Sequence, residues 1–175
     1  SHSYQANRHP NILCIRSLET GQEREFTTKF RELARPCWAS DGKSIYLGAW
    51  DNQGNGIYRV NVQHGEFALI VRVQSPTADL LYWQQISRDG HFLIYGRRDN
   101  QKEPYRILNR NLTTGEERQL YSGDRNRFSI SPDGQQLALI NLNKEKIVQV
   151  IPIGGGKPVV LAQFEESQNH ASTIE

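Results

Sequence analysis

Apolar and polar positions along this chain alternate in short runs separated by polar, Gly-containing turns, and no stretch keeps the period of a useful amphipathic helix. The clearest runs are Ser44-Ile45-Tyr46-Leu47-Gly48-Ala49-Trp50, His91-Phe92-Leu93-Ile94-Tyr95 and Gln136-Leu137-Ala138-Leu139-Ile140. Period-two alternation marks a strand whose successive side chains point to opposite faces. Each run follows an Asp-Gly pair: Asp41-Gly42, Asp89-Gly90 and Asp133-Gly134. Gly supplies the positive φ of a tight turn and Asp bonds the local backbone, so these six residues are read as structural. The three aspartates stand 48 and 44 residues apart, too far to form one acid/base pair or one metal site.

Around each Asp-Gly the same signals recur in the same order. A short apolar strand precedes it, at residues 36–39, 82–87 and 128–131. The alternating second strand follows, then a polar turn at 51–56, 97–103 and 141–145. A third strand occupies 57–62, 105–112 and 147–151, and a second Gly turn contains His64-Gly65, Thr114-Gly115 or Gly154-Gly155. The fourth strand occupies 66–73, 116–121 and 157–162. Four strands joined by short turns make an antiparallel meander, and a repeat in the forties fits the blade of a β-propeller.

The expected fold is therefore all-β, a partial propeller of about three and a half four-stranded antiparallel blades. Full blades are assigned to residues 34–73, 80–121 and 126–163, with an outer half-blade at 12–30 and a tail, or the start of a further blade, at 165–175. Propellers protect their sheets by closing a ring, so an open arc should leave apolar blade faces uncovered. Three outcomes stay open: the arc belongs to a longer protein, two copies associate as a homodimer that completes a ring, or the open arc is simply tolerated in a crystal. The chain lacks methionine, which is expected of a processed product or a piece of something longer.

The segment Phe128-Ser129-Ile130-Ser131-Pro132-Asp133-Gly134-Gln135-Gln136-Leu137-Ala138-Leu139 resembles the repeat of TolB-type propellers: an apolar strand, Ser-Pro-Asp-Gly, two polar residues and an apolar strand. Thr20-Gly21 and Thr114-Gly115 match the turn that follows in that repeat. The resemblance runs from about Ile12 to Phe164, with Ser40 and Arg88 where the repeat usually has Pro. It implies a protein-interaction or scaffold module without catalysis of its own. The alternative it implies is the non-catalytic propeller of a prolyl-oligopeptidase-like, dipeptidyl-peptidase-like or other propeller enzyme. Periplasmic or otherwise extracytoplasmic placement follows from the resemblance alone; the residues leave the compartment open.

Composition narrows the chemistry. The formal net charge of +2, with 23% charged residues, argues against nucleic-acid binding, which asks for a strongly basic stripe. No apolar run approaches the length that spans a bilayer, so no membrane insertion is expected. Cys14 and Cys37 sit in apolar strands and are read as small buried thiols; their spacing does not decide whether they pair. The five histidines, His2, His9, His64, His91 and His170, form no metal-ligand spacing, and His64 and His91 are expected in solvent. No nucleophile elbow is present, and Gly154-Gly155-Gly156-Lys157 lacks phosphate-loop spacing and reads as a hairpin turn. Neither catalytic residues, metal nor cofactor are assigned.

What remains is surface. Trp38 occupies the slot filled by Ile86 and Ile130 and is predicted to be inter-blade core. Trp50 and Trp83 fall near strand ends, where aromatics reach a rim. Exposed aromatics beside arginines are the usual anchors of a protein interface. Tyr95, Arg97, Arg98, Tyr105, Arg106 and Arg110, with Trp50 and Trp83, form the candidate binding patch, against the alternative of an ordinary solvated face. Binding of a small ligand in a central channel is a third class, which needs a closed ring.

Overall fold

A computed structural model of the chain describes residues 11–73, 79–124, 126–141 and 146–164. It contains one two-stranded and three four-stranded sheets, every pairing antiparallel. The first sheet joins β1 (Ile12–Arg16) and β2 (Glu23–Thr27). The next three are meanders. The first comprises β3 (Glu32–Trp38), β4 (Ser44–Asp51), β5 (Gly54–Asn61) and β6 (Phe67–Val73). The second comprises β7 (Asp79–Ile86), β8 (Phe92–Arg98), β9 (Tyr105–Asn111) and β10 (Glu117–Gly123). The third comprises β11 (Asn126–Ile130), β12 (Gln136–Asn141), β13 (Lys146–Pro152) and β14 (Val159–Phe164). This is a partial all-β propeller, and among the described residues no helix is long and apolar enough to cross a membrane.

The core lies between blades. Consecutive residues of one strand point to opposite faces, so each middle strand serves two interfaces. Ile45, Leu47 and Ala49 of β4 pack with Leu13 toward the two-stranded sheet. Tyr46, between them, packs with Leu93, Tyr95 and Leu108 of the following blade. On β8, Ile94 turns the other way, toward Phe128, Leu137, Leu139 and Ile151. Hence β4 is buried from Ser44 to Ala49 without interruption, whereas β12 alternates, with Leu137 and Leu139 buried and Ile140 exposed. The outward side of that last blade also exposes Val159, Val160, Leu161 and Phe164.

The turn chemistry is as the sequence indicates. Asp41, Asp89 and Asp133 each accept the amide of the residue two further on, at 2.8, 3.0 and 3.0 Å. Gly42, Gly90 and Gly134 take φ of 64°, 75° and 74°. In the second two turns a serine hydroxyl, from Ser87 or Ser131, also donates to the aspartate and holds its carboxyl below the usual range.

Several expectations are corrected. β3 and β7 begin at Glu32 and Asp79, earlier than the runs at 36–39 and 82–87, because residues 32–34 and 79–81 already pair with the second strand. The polar turn at 51–56 shrinks to Asn52 and Gln53, since Asp51 and Gly54 are already ladder partners. Arg97 and Arg98 belong to β8, and Arg97 pairs with Arg106. Asn141 likewise belongs to β12, while residues 142–145 and the tail at 165–175 lie outside the described residues.

Trp38 is 55% exposed and not inter-blade core. Its slot is the predicted one: it pairs with Ile45 as Ile86 pairs with Leu93 and Ile130 with Leu137. Ile86 and Ile130 meet the blade before them. The sheet before Trp38 has only two strands among the described residues, and they leave the indole uncovered. Cys14 is exposed too, because the alternation of β1 buries Leu13 instead. Cys37 is half-buried, and both thiols are free. Burial pushes the Cys37 thiol up to about 11.

Candidate functional site

The residues singled out as one patch fall into four places. Tyr95 is not on a surface: its ring is fully buried between blades, and its hydroxyl donates to Glu117 Oε1 at 2.6 Å. Burial first, then this hydrogen bond, raises the phenol above its ordinary value. Arg110 donates to the same carboxylate oxygen at 2.8 Å. At the other end of β9, roughly 13 Å along the strand, Arg97 and Arg106 both donate to Asp99. These arginines face each other across β8 and β9, and the shared carboxylate offsets their repulsion. The Arg98 guanidinium lies over the Tyr105 ring, 4.4 Å from its centroid. Trp50 is the next-to-last residue of β4 in the preceding blade, 39% exposed and paired with Glu32 and Asn55. That end of β8 and β9 thus holds two pairs, Arg97 with Arg106 and Arg98 with Tyr105, which alternation places on opposite faces of the sheet.

The fourth place, around Trp83, is where the three blades converge. Strand β7, the first strand of its blade, contacts the first strands β3 and β11 of the two neighbouring blades. Trp83 is half-buried there. The Arg35 guanidinium carbon sits 3.6 Å from its ring centroid and the Arg127 carbon 4.9 Å from it. Arg35, Trp83 and Arg127 are repeat equivalents: each precedes the turn aspartate of its blade by the same interval. Both arginines are exposed, and neither has a carboxylate partner among the described residues.

Local backbone irregularity aims two of the three. Between Ala34 and Cys37, β3 runs one residue longer than its partner β4. Between Leu81 and Gln85, β7 advances four residues while β8 advances two, from Gly96 to Ile94. Arg35 and Trp83 sit inside these bulges, which free their side chains from the regular ladder. Two consecutive glutamines then hold the strands together. Gln84 Nε2 donates to the Arg35 carbonyl, and to the Tyr46 carbonyl at 3.3 Å. Gln85 accepts the Ile130 amide at 2.8 Å and donates to the Phe128 carbonyl at 3.4 Å. Alternation along β7 sends one amide to each neighbour.

Sequence reasoning missed Arg35, Arg127, Gln84 and Gln85. The signal for the first two was their fixed interval from the turn aspartates, masked because the shared position holds different residue types. His64 and His91 are exposed, while His2, His9 and His170 lie outside the described residues. Among the described residues no group of three or more His, Cys, Asp or Glu gathers in a way that could hold a metal. The Gly154 to Lys157 segment is the β13–β14 hairpin turn, with φ of 111° at Gly155 and 134° at Gly156.

Four-stranded meanders converging on their first strands define a propeller fold, and solved structures match it as TolB-like. TolB from Acinetobacter baumannii superposes with a TM-score of 0.71 at 17% identity, over 86% of this chain and 37% of that one. A structure from a study of two prolyl endopeptidases gives 0.68 at 16% identity, over 90% of this chain and 27% of that one. An oligogalacturonate lyase from Vibrio parahaemolyticus gives 0.61 at 16%, over 88% and 47%. The chain thus spans less than half the length of each of these proteins. No family model matches the sequence, and no curated protein does.

Proposed function

We propose that this chain is a non-enzymatic propeller module that binds a protein partner, forms part of a longer TolB-like protein and works outside the cytoplasm. The observation that carries the reading is the inner edge: a half-buried Trp83 flanked by Arg35 and Arg127, neither with a carboxylate partner among the described residues. Trp and Arg dominate the energetically important centres of protein interfaces. The arginines of the β8–β9 end carry less of the reading, because Asp99 already occupies Arg97 and Arg106. A photo-crosslinking residue at Trp83 should capture a discrete protein in the native host, whereas the same residue at exposed Arg59 should not. Adducts of equal pattern at both positions would overturn the reading.

Two further observations each favour a second arrangement. The match to a prolyl-endopeptidase structure supports a non-catalytic propeller domain of a hydrolase, which a catalytic segment elsewhere in the parent reading frame would establish. The exposed Val159, Val160, Leu161 and Phe164 support a homodimer that completes a ring. Light scattering that gives a clean monomer at high concentration would rule that pairing out.

A further inference from the structure

We infer that the inner edge is a carboxylate-binding site, and that the partner segment it takes is an extended acidic peptide. The inference deepens the protein-binding reading above and rests on it. Three features carry it, beginning with charge. Arg35 and Arg127 approach one indole ring from neighbouring blades, so their guanidiniums are no farther apart than their two distances to its centroid, 3.6 and 4.9 Å, laid end to end. Like charges at that range repel, and no carboxylate among the described residues pairs with either. The Arg97–Arg106 pair is treated differently: these two arginines share Asp99.

The second feature is geometry. A guanidinium lying over an aromatic face is held by its π surface, which leaves the N–H edge free as a planar fork for a carboxylate. Two side chains on one face of an extended chain stand about 7 Å apart. That spacing fits two forks flanking a single ring. The third is construction. Arg35 and Trp83 both sit in bulges, and Gln84 and Gln85 fix the β3 and β11 strands on either side of β7. The stack is thus set by backbone and by inter-blade hydrogen bonds, with little left to order on binding.

The test uses the full chain and hexaglutamate as probe, followed by the indole N–H resonance of Trp83, assigned by its loss in Trp83→Phe. Hexaglutamate should shift that resonance, and its affinity should fall steeply with added salt. Arg35→Gln or Arg127→Gln should each weaken binding about tenfold, the loss of one charge-assisted contact, and the double variant further. Hexalysine should not bind. Arg24→Gln, exposed on β2 of the two-stranded sheet, should leave hexaglutamate affinity unchanged. Unaltered circular dichroism would show that the variants fold. Hexaglutamate binding that survives Arg35→Gln/Arg127→Gln, or that is lost in Arg24→Gln, would overturn the site. Inorganic phosphate or citrate binding as tightly as hexaglutamate would overturn the peptide and leave a general anion site. A partner crosslinked at Trp83 but still captured by Arg35→Gln/Arg127→Gln would remove this inference and leave the protein-binding reading standing.

Discussion

Replacing Arg72 with Met should destabilise the chain measurably, and the loss should depend on pH in one direction. Arg72 reaches across the β4–β5 hairpin and grips Asp51 with both terminal nitrogens, at 2.7 and 2.8 Å. It also donates to the Gly54 carbonyl at 3.2 Å and to the Tyr58 hydroxyl at 2.8 Å. Tyr58 in turn donates to Asp51 at 2.6 Å, and burial with this bond pushes the phenol up to about 12. Side-chain exposure is 15% for Arg72 and 24% for Asp51. Exposed pairs are worth up to about 1 kcal/mol and breaking a buried one costs about 3–5 kcal/mol, so a loss of about 2–3 kcal/mol is expected for this partly covered pair. For a chain of this size that lowers Tm by about 5–10 °C. Met keeps the aliphatic bulk, so the loss reports the hydrogen bonds more than the packing. Hydrogen bonds from Arg72 hold the Asp51 carboxyl well below its unfolded value of about 3.9. A carboxylate depressed in the folded state stabilises fully above the unfolded value, and that contribution is lost as pH falls through the folded one. The gap between the parent chain and Arg72→Met, measured by urea unfolding, should therefore be full at pH 7 and narrow steadily below about pH 4. A loss under about 0.5 kcal/mol, typical of surface sites, or a gap that does not change with pH, would refute the reasoning.

Two more outcomes follow from the same contacts. Gln85→Leu removes the acceptor of the Ile130 amide and should cost about 1–3 kcal/mol; it should also loosen Arg127 from Trp83, which the indole fluorescence of a Trp38→Phe/Trp50→Phe background would report. A thiol reagent at pH 8 should label exposed Cys14 rapidly and Cys37 only slowly, since burial disfavours the Cys37 thiolate; equal rates in the folded chain would contradict the burial described.

The blades were legible in the sequence because their signals are local. An Asp-Gly turn, period-two alternation and a second Gly turn each act over a few residues, and their repetition names the fold. Trp38 shows the limit of such signals: its slot was read correctly, but burial of a slot depends on what the neighbouring sheet supplies. Tyr95 shows another. A tyrosine beside arginines looks the same in sequence whether its ring faces solvent or a blade, and only the two-sided burial of β8 decides it. The inner edge was hidden for a different reason. The bulges at Arg35 and Trp83 depend on strand pairing, and a shared position that alternates Arg, Trp and Arg leaves no residue type to recognise.

The double service of each middle strand also governs how the arc comes apart. Because Tyr46 and Leu47, or Leu93 and Ile94, serve different interfaces, no blade owns its core, and each one's stability is lent by its neighbours. Opening should therefore spread along the array from its least supported members. The β1–β2 sheet and the β11–β14 blade, each packed on one side only among the described residues, would exchange their amide hydrogens first, and the β3–β6 and β7–β10 blades last.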